Sequence, residues 1–179
     1  MPTYVVLLRA VNVGGTKKLP MAEFRKLLEG LGYKRVETYI QSGNAVFDAA
    51  GPPAKAAKAI AVALEKLMGG PVGVLLRTHE DLGRIIAENP YATEAAADGA
   101  RVHAVFLSGI PAEAATAGLK KIPARSDRYH HTGDTLYLHL PDGAGESKFT
   151  AKTLDKILGV YVTARNWNTV LKLHEMSRR

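Results

Sequence analysis

An arginine closing an apolar run, an asparagine three residues on, and a glycine pair followed by two lysines are the first stretch able to do chemistry: Arg9, Asn12, Gly14-Gly15, Lys17-Lys18. A lone guanidinium behind YVVLL needs an anion or solvent. Glycine amides ahead of a helix N-terminus make a seat for phosphate. The stretch is neither a Walker motif nor a dinucleotide fingerprint, and a tight loop with solvated lysines is the structural alternative. A second polar set, Tyr39, Gln41, Ser42 and Asn44, brackets a Ser-Gly turn. Its hydroxyls and amides can both donate and accept, which suits a base edge, a peptide or a sugar. The third set is Arg165, Asn166 and Asn168, with Ser147 and Lys148 ahead of it. Asn166 suits a helix N-cap, while Arg165 and Asn168 at that helix start offer donors to an anion. Trp167 is expected to bury with Val170, Leu171 and His174.

The histidines give a different pattern. His130 and His131 adjoin on a strand, so they point to opposite faces and do not share a metal. His130, Tyr137, His139 and His103, beside Arg128, are expected on one non-core face, like the stacking platform of RNA-recognition modules. The aromatic signature of those modules is absent. No carboxylate lies within Arg9–Lys18, Tyr39–Asn44 or Arg165–Asn168, so a positioned base is missing and binding ranks above catalysis. No cofactor and no metal site is implied, and with no cysteine, thiolate chemistry is excluded.

These groups must be positioned by elements that the pattern outlines. Residues 4–10 read as a central strand, and a helix follows Pro20 with Phe24, Leu27, Leu28 and Leu31 on one face. Strands 36–41 and 44–48 form a hairpin around Ser42-Gly43. That turn pairs Gln41 with Asn44 and Ile40 with Ala45, placing Ile40, Ala45 and Phe47 on the helix-covered face. A helix after Pro52-Pro53 and a strand over 72–77 complete βαββαβ. Thr78-His79-Glu80-Asp81 opens a short helix as a capping box. After a patternless linker, 92–100, the order repeats: strand 101–107, helix from Pro111, hairpin 128–131/135–140, helix 149–158, strand 160–163, and a final helix from Asn166. The fold class is therefore α+β, two ferredoxin-like βαββαβ units in tandem, each with an appended helix. The units are expected at 1–91 and 101–179. Two hairpins argue against a doubly wound parallel sheet. Expected core residues are Leu8, Leu28, Ile40, Phe47, Ile60 and Leu64, then Phe106, Leu138, Leu154 and Ile157.

The chain has 179 residues, 24 Lys and Arg against 17 Asp and Glu, and a formal net charge of +7. With 46% hydrophobic residues a packed core is available. The charge suits a phosphate-bearing partner, although no run of like charges makes a basic tail. No early apolar run approaches a membrane span and no signal segment is evident, so a cytoplasmic protein without a membrane partner is expected.

Together LLRAVNVGGTKKLPM, YIQSGNAVF, Asn89-Pro90-Tyr91, Ser147-Lys148 and TARNWNTVLKL resemble the bacterial domain-of-unknown-function family 1697. The resemblance spans nearly the whole chain. It implies two ferredoxin-like units and no established activity, and it draws attention to Arg9, Asn12, Gln41, Ser42, Asn44, Arg165, Asn166 and Asn168. The family pattern often carries Gly where this chain has Ala10.

The leading functional expectation is a binding module for a phosphate-bearing ligand, either a nucleotide or single-stranded nucleic acid. The alternatives are a transferase-like enzyme, using Tyr39 or His130 as acid–base and Arg165 as charge stabiliser, and a structural or partner-binding protein. On the leading reading Arg9, Asn12, Gln41, Asn44, Arg165 and Asn168 converge on one anion-binding surface. The sequence leaves the oligomeric state open.

Overall fold

The run Tyr4–Leu8 is apolar at every position because both of its faces are covered: all five side chains are buried in the computed structural model, which describes residues 1–13 and 17–179. It lies in β1 (Thr3–Leu8), followed by α1 (Met21–Gly30), β2 (Lys34–Tyr39), β3 (Asn44–Asp48), α2 (Pro53–Met68) and β4 (Val74–Thr78). The sheet order is β2-β3-β1-β4, and every pair in it is antiparallel. β1 and β3 are therefore central. Phe24 and Leu28 of α1, with Ile60 and Leu64 of α2, pack on Tyr4, Val6, Leu8, Ala45 and Phe47. Proline opens α2 at its first position, and Gly69, at φ +73°, closes it.

The second half repeats this plan: α4 (Ala92–Ala97), β5 (Val102–Leu107), α5 (Glu113–Ala117), β6 (Arg128–Thr132), β7 (Thr135–His139), α6 (Ala151–Leu158), β8 (Val162–Asn166) and α7 (Trp167–Met176). Its sheet order, β6-β7-β5-β8, matches the first position for position. The fold is α+β, with two ferredoxin-like four-stranded antiparallel sheets. The β6–β7 hairpin has the expected two-residue turn, Gly133-Asp134, with Thr132 opposite Thr135 and Gly133 at φ +58°. In α3 (His79–Ala87) the capping box forms reciprocally: the Thr78 amide donates to Asp81 Oδ2 at 2.9 Å and the Asp81 amide to Thr78 Oγ1 at 3.0 Å.

The two compact units are Met1–Gly83 with Lys172–Arg179, and Arg84–Leu171. Compactness thus divides the chain differently from boundaries at 91 and 101. Residues 84–91 fall with the second sheet, where the Tyr137 hydroxyl donates to the Ile85 carbonyl at 2.8 Å. Residues 172–179 fall with the first. The segment read as a linker is instead α4 and a 3-10 turn over Gly99–Arg101; six alanine-rich residues are too few to display a helical period.

Three further expectations need correction. The β2–β3 connection is a four-residue loop, 40–43, with Tyr39 opposite Asn44 and Thr38 opposite Ala45. Ile40 consequently leaves the core, 49% exposed and at φ +48°. Ile157 is partly buried at the edge of the second core rather than inside it, and Leu171 is exposed while Trp167 and Val170 are buried. The other eight expected core residues are buried.

Ala10 sits at φ +56°, a conformation that costs an L-residue with a Cβ about 1–2 kcal/mol. Glycine adopts this conformation without that cost. Ala10→Gly is expected to stabilise the first unit by about 0.5–1 kcal/mol, the relieved strain less the added freedom of the unfolded chain. Urea unfolding compared with the parent checks this, and a destabilised variant contradicts it.

Candidate functional site

Two loops meet at one end of the first sheet, the β1–α1 loop and the β2–β3 turn, and Asn12 joins them. Its Nδ2 donates to the Leu19 carbonyl at 2.8 Å and to the Gln41 carbonyl at 2.6 Å, while its Oδ1 accepts from the Leu19 amide at 2.7 Å. Asn12 itself is at φ +57°, which asparagine tolerates better than most residues. Ala10, Asn12, Lys17 and Ile40 are four non-glycine residues in the left-handed region within these two loops. Such strain persists only where surrounding contacts over-determine the backbone, and it gathers at functional sites.

The turn is equally constrained. Asn44, fully buried, donates Nδ2 to Ser42 Oγ at 2.8 Å and to the Tyr39 carbonyl at 3.2 Å, filling the loop from inside. The Leu8 amide donates to the Gly43 carbonyl at 2.9 Å, and a Cβ on Gly43 would lie 2.7 Å from both Leu8 Cβ and Val11 Cγ2. Arg9 leaves β1 with its amide on the Gly73 carbonyl.

Between these loops lies a concavity of about 390 Å3, lined by Asn12, Lys18, Pro20 and Gln41. A second, of about 310 Å3, shares Lys18 and Pro20 and adds Lys17, Leu19, Glu23, Leu67 and Met68. Lys17 and Lys18 bring positive charge, with the Lys17 ammonium 3.3 Å from the Pro71 carbonyl. Of the sequence candidates, Asn12 and Gln41 line the first hollow, Ser42 and Asn44 brace its turn, and Tyr39 closes β2. Gly14 and Gly15, the expected anion seat, lie outside the described residues. Pro20, Glu23, Leu67 and Met68 were not anticipated; their proximity depends on α1 and α2 packing, which no local motif announces.

The third polar set belongs to the second unit. Arg165 is not at a helix start but inside β8, opposite Ala104. It is 7% exposed, and its Nη1 donates to Thr163 Oγ1 at 2.7 Å and to the Ala164 carbonyl at 2.9 Å. Burial pushes its pKa down to about 10. The strand runs three residues further than expected because β5 pairs with it as far as Asn166. Asn166 then caps α7, its Oδ1 accepting from the Thr169 amide at 3.0 Å. Asn168 Oδ1 lies 2.2 Å from where a Cβ on Gly99 would stand, so any side chain at 99 would displace the Asn168 amide. Lys148 is exposed, and Ser147 accepts the Phe149 amide.

Arg165 has an unforeseen counterpart. VLLRT in β4 and VTARN in β8 occupy the same place in the two sheets, and Arg77 opposes Val5 as Arg165 opposes Ala104. Arg77 is likewise buried and likewise donates Nη1 to the preceding carbonyl, that of Leu76, at 2.9 Å. The duplication extends to a side-chain interaction as well as to element order.

The histidine platform does not assemble as expected. Arg128 and His139 do pair, with Nη2 3.1 Å from His139 Nδ1, and Arg128 also reaches Glu94 at 2.9 Å and stacks over Tyr91 at 5.1 Å. Tyr137, however, is fully buried, and His103 lies opposite Leu138 on the helix-covered face. Alternation from Val105 and Leu107, both in the core, sends His103 inward, where burial pushes its pKa down.

The chain matches the model of the family described as "Protein of unknown function (DUF1697)" over residues 1–137, and it belongs to that family. Among solved structures it is similar to the conserved bacterial protein SP0830 from Streptococcus pneumoniae, with a TM-score of 0.78 and 22% identity, covering 100% of this chain and 99% of that one. The likeness establishes the shared fold. An unknown protein from Galdieria sulphuraria aligns over 92% of this chain and 98% of its own at 19% identity, but its TM-score of 0.23 relates no fold. No curated protein matches the chain. Among the described residues no helix is long and apolar enough to cross a membrane.

Proposed function

We propose that this member of the DUF1697 family binds a phosphate-bearing small molecule of nucleotide size between the β1–α1 loop and the β2–β3 turn. The hollow of about 390 Å3 lined by Asn12, Lys18, Pro20 and Gln41 carries the reading. That volume falls within the usual range for small-molecule sites. Lys18 supplies a cation, the exposed Gln41 amide can donate or accept, and the chain's net charge of +7 favours an anion. The left-handed residues around the hollow fix its shape in advance of a ligand, which lowers the ordering cost of binding.

A single-stranded nucleic acid finds less support. Stacking requires an open sheet face, whereas Val5, Leu7 and Asn44 of the first sheet and Tyr137 of the second are fully buried. The enzyme reading that combines His130 with Arg165 meets a geometric obstacle. They stand on β6 and β8, the outer strands of one sheet, so three strand spacings, about 14 Å, separate their backbones. The structural reading is favoured by one observation, the complete use of the Asn12 amide within the protein. The two readings divide by residue: Asn12 builds the hollow, and Lys18 and Gln41 face the ligand.

A thermal-shift screen of nucleotides and phosphorylated metabolites tests the proposal, because a ligand at one hundred times its Kd stabilises the folded state by about 2.7 kcal/mol. The Lys18→Ala/Gln41→Ala variant is expected to keep the unliganded Tm and lose the shift. A hit that shifts both proteins equally, or the absence of any hit, contradicts it.

A further inference from the structure

Residues Lys172–Arg179 belong to the first unit, and two sets of contacts hold them there. At the far end Arg179 Nη1 donates to the Arg35 carbonyl at 2.7 Å, its Nη2 pairs with Glu37, and Asp48 Oδ1 lies 3.6 Å from Nη1. Nearer, the His174 ring lies flat on that of His79 at the start of α3, with centroids 4.1 Å apart and planes 9° from parallel. His79 Nδ1 is 2.9 Å from Ser177 Oγ and 3.1 Å from the His174 carbonyl, and the Ser177 hydroxyl donates to that same carbonyl at 2.9 Å. That carbonyl only accepts, and His79 Nδ1 is placed to donate to it. The α3 backbone closes in on the stack: a Cβ on Gly83 would stand 3.4 Å from His174 Nε2. Leu173 and Ser177 are buried alongside.

Parallel imidazoles at this spacing pack well when neutral, but two imidazolium rings confront like charges at van der Waals distance. The surrounding charges do not relieve them. Arg178 acts on His174 with the same sign. Glu175 is paired with Lys172, and Asp81 is engaged by Thr78 in the capping box. Glu80, next to His79 in sequence, is exposed.

We propose that the His79–His174 stack is an acid-sensitive latch, which holds residues 172–179 on the first unit while the rings are neutral and releases them when they are protonated. Burial, then His79 and Arg178, hold the His174 pKa below its ordinary 6.5. The released segment therefore binds more protons than the docked one. The stability of docking is complete above the ordinary value and falls as pH drops through it toward the depressed one. Release also removes Arg179 from Asp48. Burial alone would raise the Asp48 pKa, but the Thr3 hydroxyl and Arg35, with Arg179 beyond, hold it low. Letting go of one end thus loosens the hold on the other.

Amide hydrogen exchange on the full chain, corrected for the intrinsic pH dependence, tests the latch between about pH 7.5 and about pH 5.5. Amides of residues 173–178 are expected to lose protection several-fold on acidification, while those of β1 hold theirs. His174→Gln is expected to dock at neutral pH and to show no acid step. Unchanged protection, loss throughout the first unit together, or an acid step that persists in His174→Gln overturns the proposal. An NMR titration of the parent histidines supplies an independent readout. A His174 pKa at or above the ordinary value also overturns it, whatever the variant does.

Discussion

Gly43→Ala destabilises the first unit by about 3 kcal/mol, the sum of a left-handed backbone penalty and overpacking. The position is at φ +81°, and the added methyl would stand 2.7 Å from Leu8 Cβ and Val11 Cγ2. Both neighbours belong to the core of the first unit, so neither can swing into solvent. The turn carbonyl also holds the Leu8 amide, which ties any shift of Gly43 to the end of β1. Urea unfolding monitored on first-unit amides gives the value. A loss below about 0.5 kcal/mol, the range of ordinary surface substitutions, would show that the loop yields easily.

Asn12→Ala is expected to cost about 2–4 kcal/mol, since it strands buried backbone groups and places alanine in the left-handed region. Leu19 is 1% exposed, and both its amide and its carbonyl lose their partner when the Asn12 side chain goes. The Gln41 carbonyl loses its partner as well, freeing the turn from the β1–α1 loop. Asn12→Gly separates the causes, because glycine accepts the backbone conformation while removing the same hydrogen bonds. Its cost should be smaller than that of Asn12→Ala by about 1–2 kcal/mol. Equal costs would assign the whole effect to the side-chain bonds. A neutral Asn12→Ala would mean that the loops are held by other contacts.

Much of the fold follows from local pattern. Alternation and helical spacing mark the strands and main helices, prolines and glycines punctuate them, and Thr78–Asp81 and Asn166 form the caps that their residue types promise. The failures have physical causes. Ser42-Gly43 has the composition of a two-residue turn, and nothing local signals that Ile40 will turn left-handed and lengthen the loop by two. Arg165 looked like part of a helix start because the extent of β8 is decided by its pairing with β5. His103 was placed on the wrong face because alternation fixes faces along one strand and not across strands. The Arg179 contacts join residues 144 apart in sequence, beyond any local signal. Of the site, Asn12 and Gln41 were legible as polar residues beside turns. The apolar wall of Leu67 and Met68 was not, since helix packing alone brings it to Lys18.

The binding proposal rests most directly on where a phosphate-bearing ligand perturbs the protein. The measurement is a 15N-resolved NMR titration with adenosine monophosphate, with inorganic phosphate in parallel, at low and high salt. The expected result is a set of shifts confined to Asn12, Lys17, Lys18 and the Gln41 side-chain amide, saturating with the nucleotide and weakened by salt. Phosphate alone should reproduce the lysine shifts at higher concentration. Shifts centred elsewhere, or none at millimolar nucleotide, would contradict an anion site at this end of the first sheet.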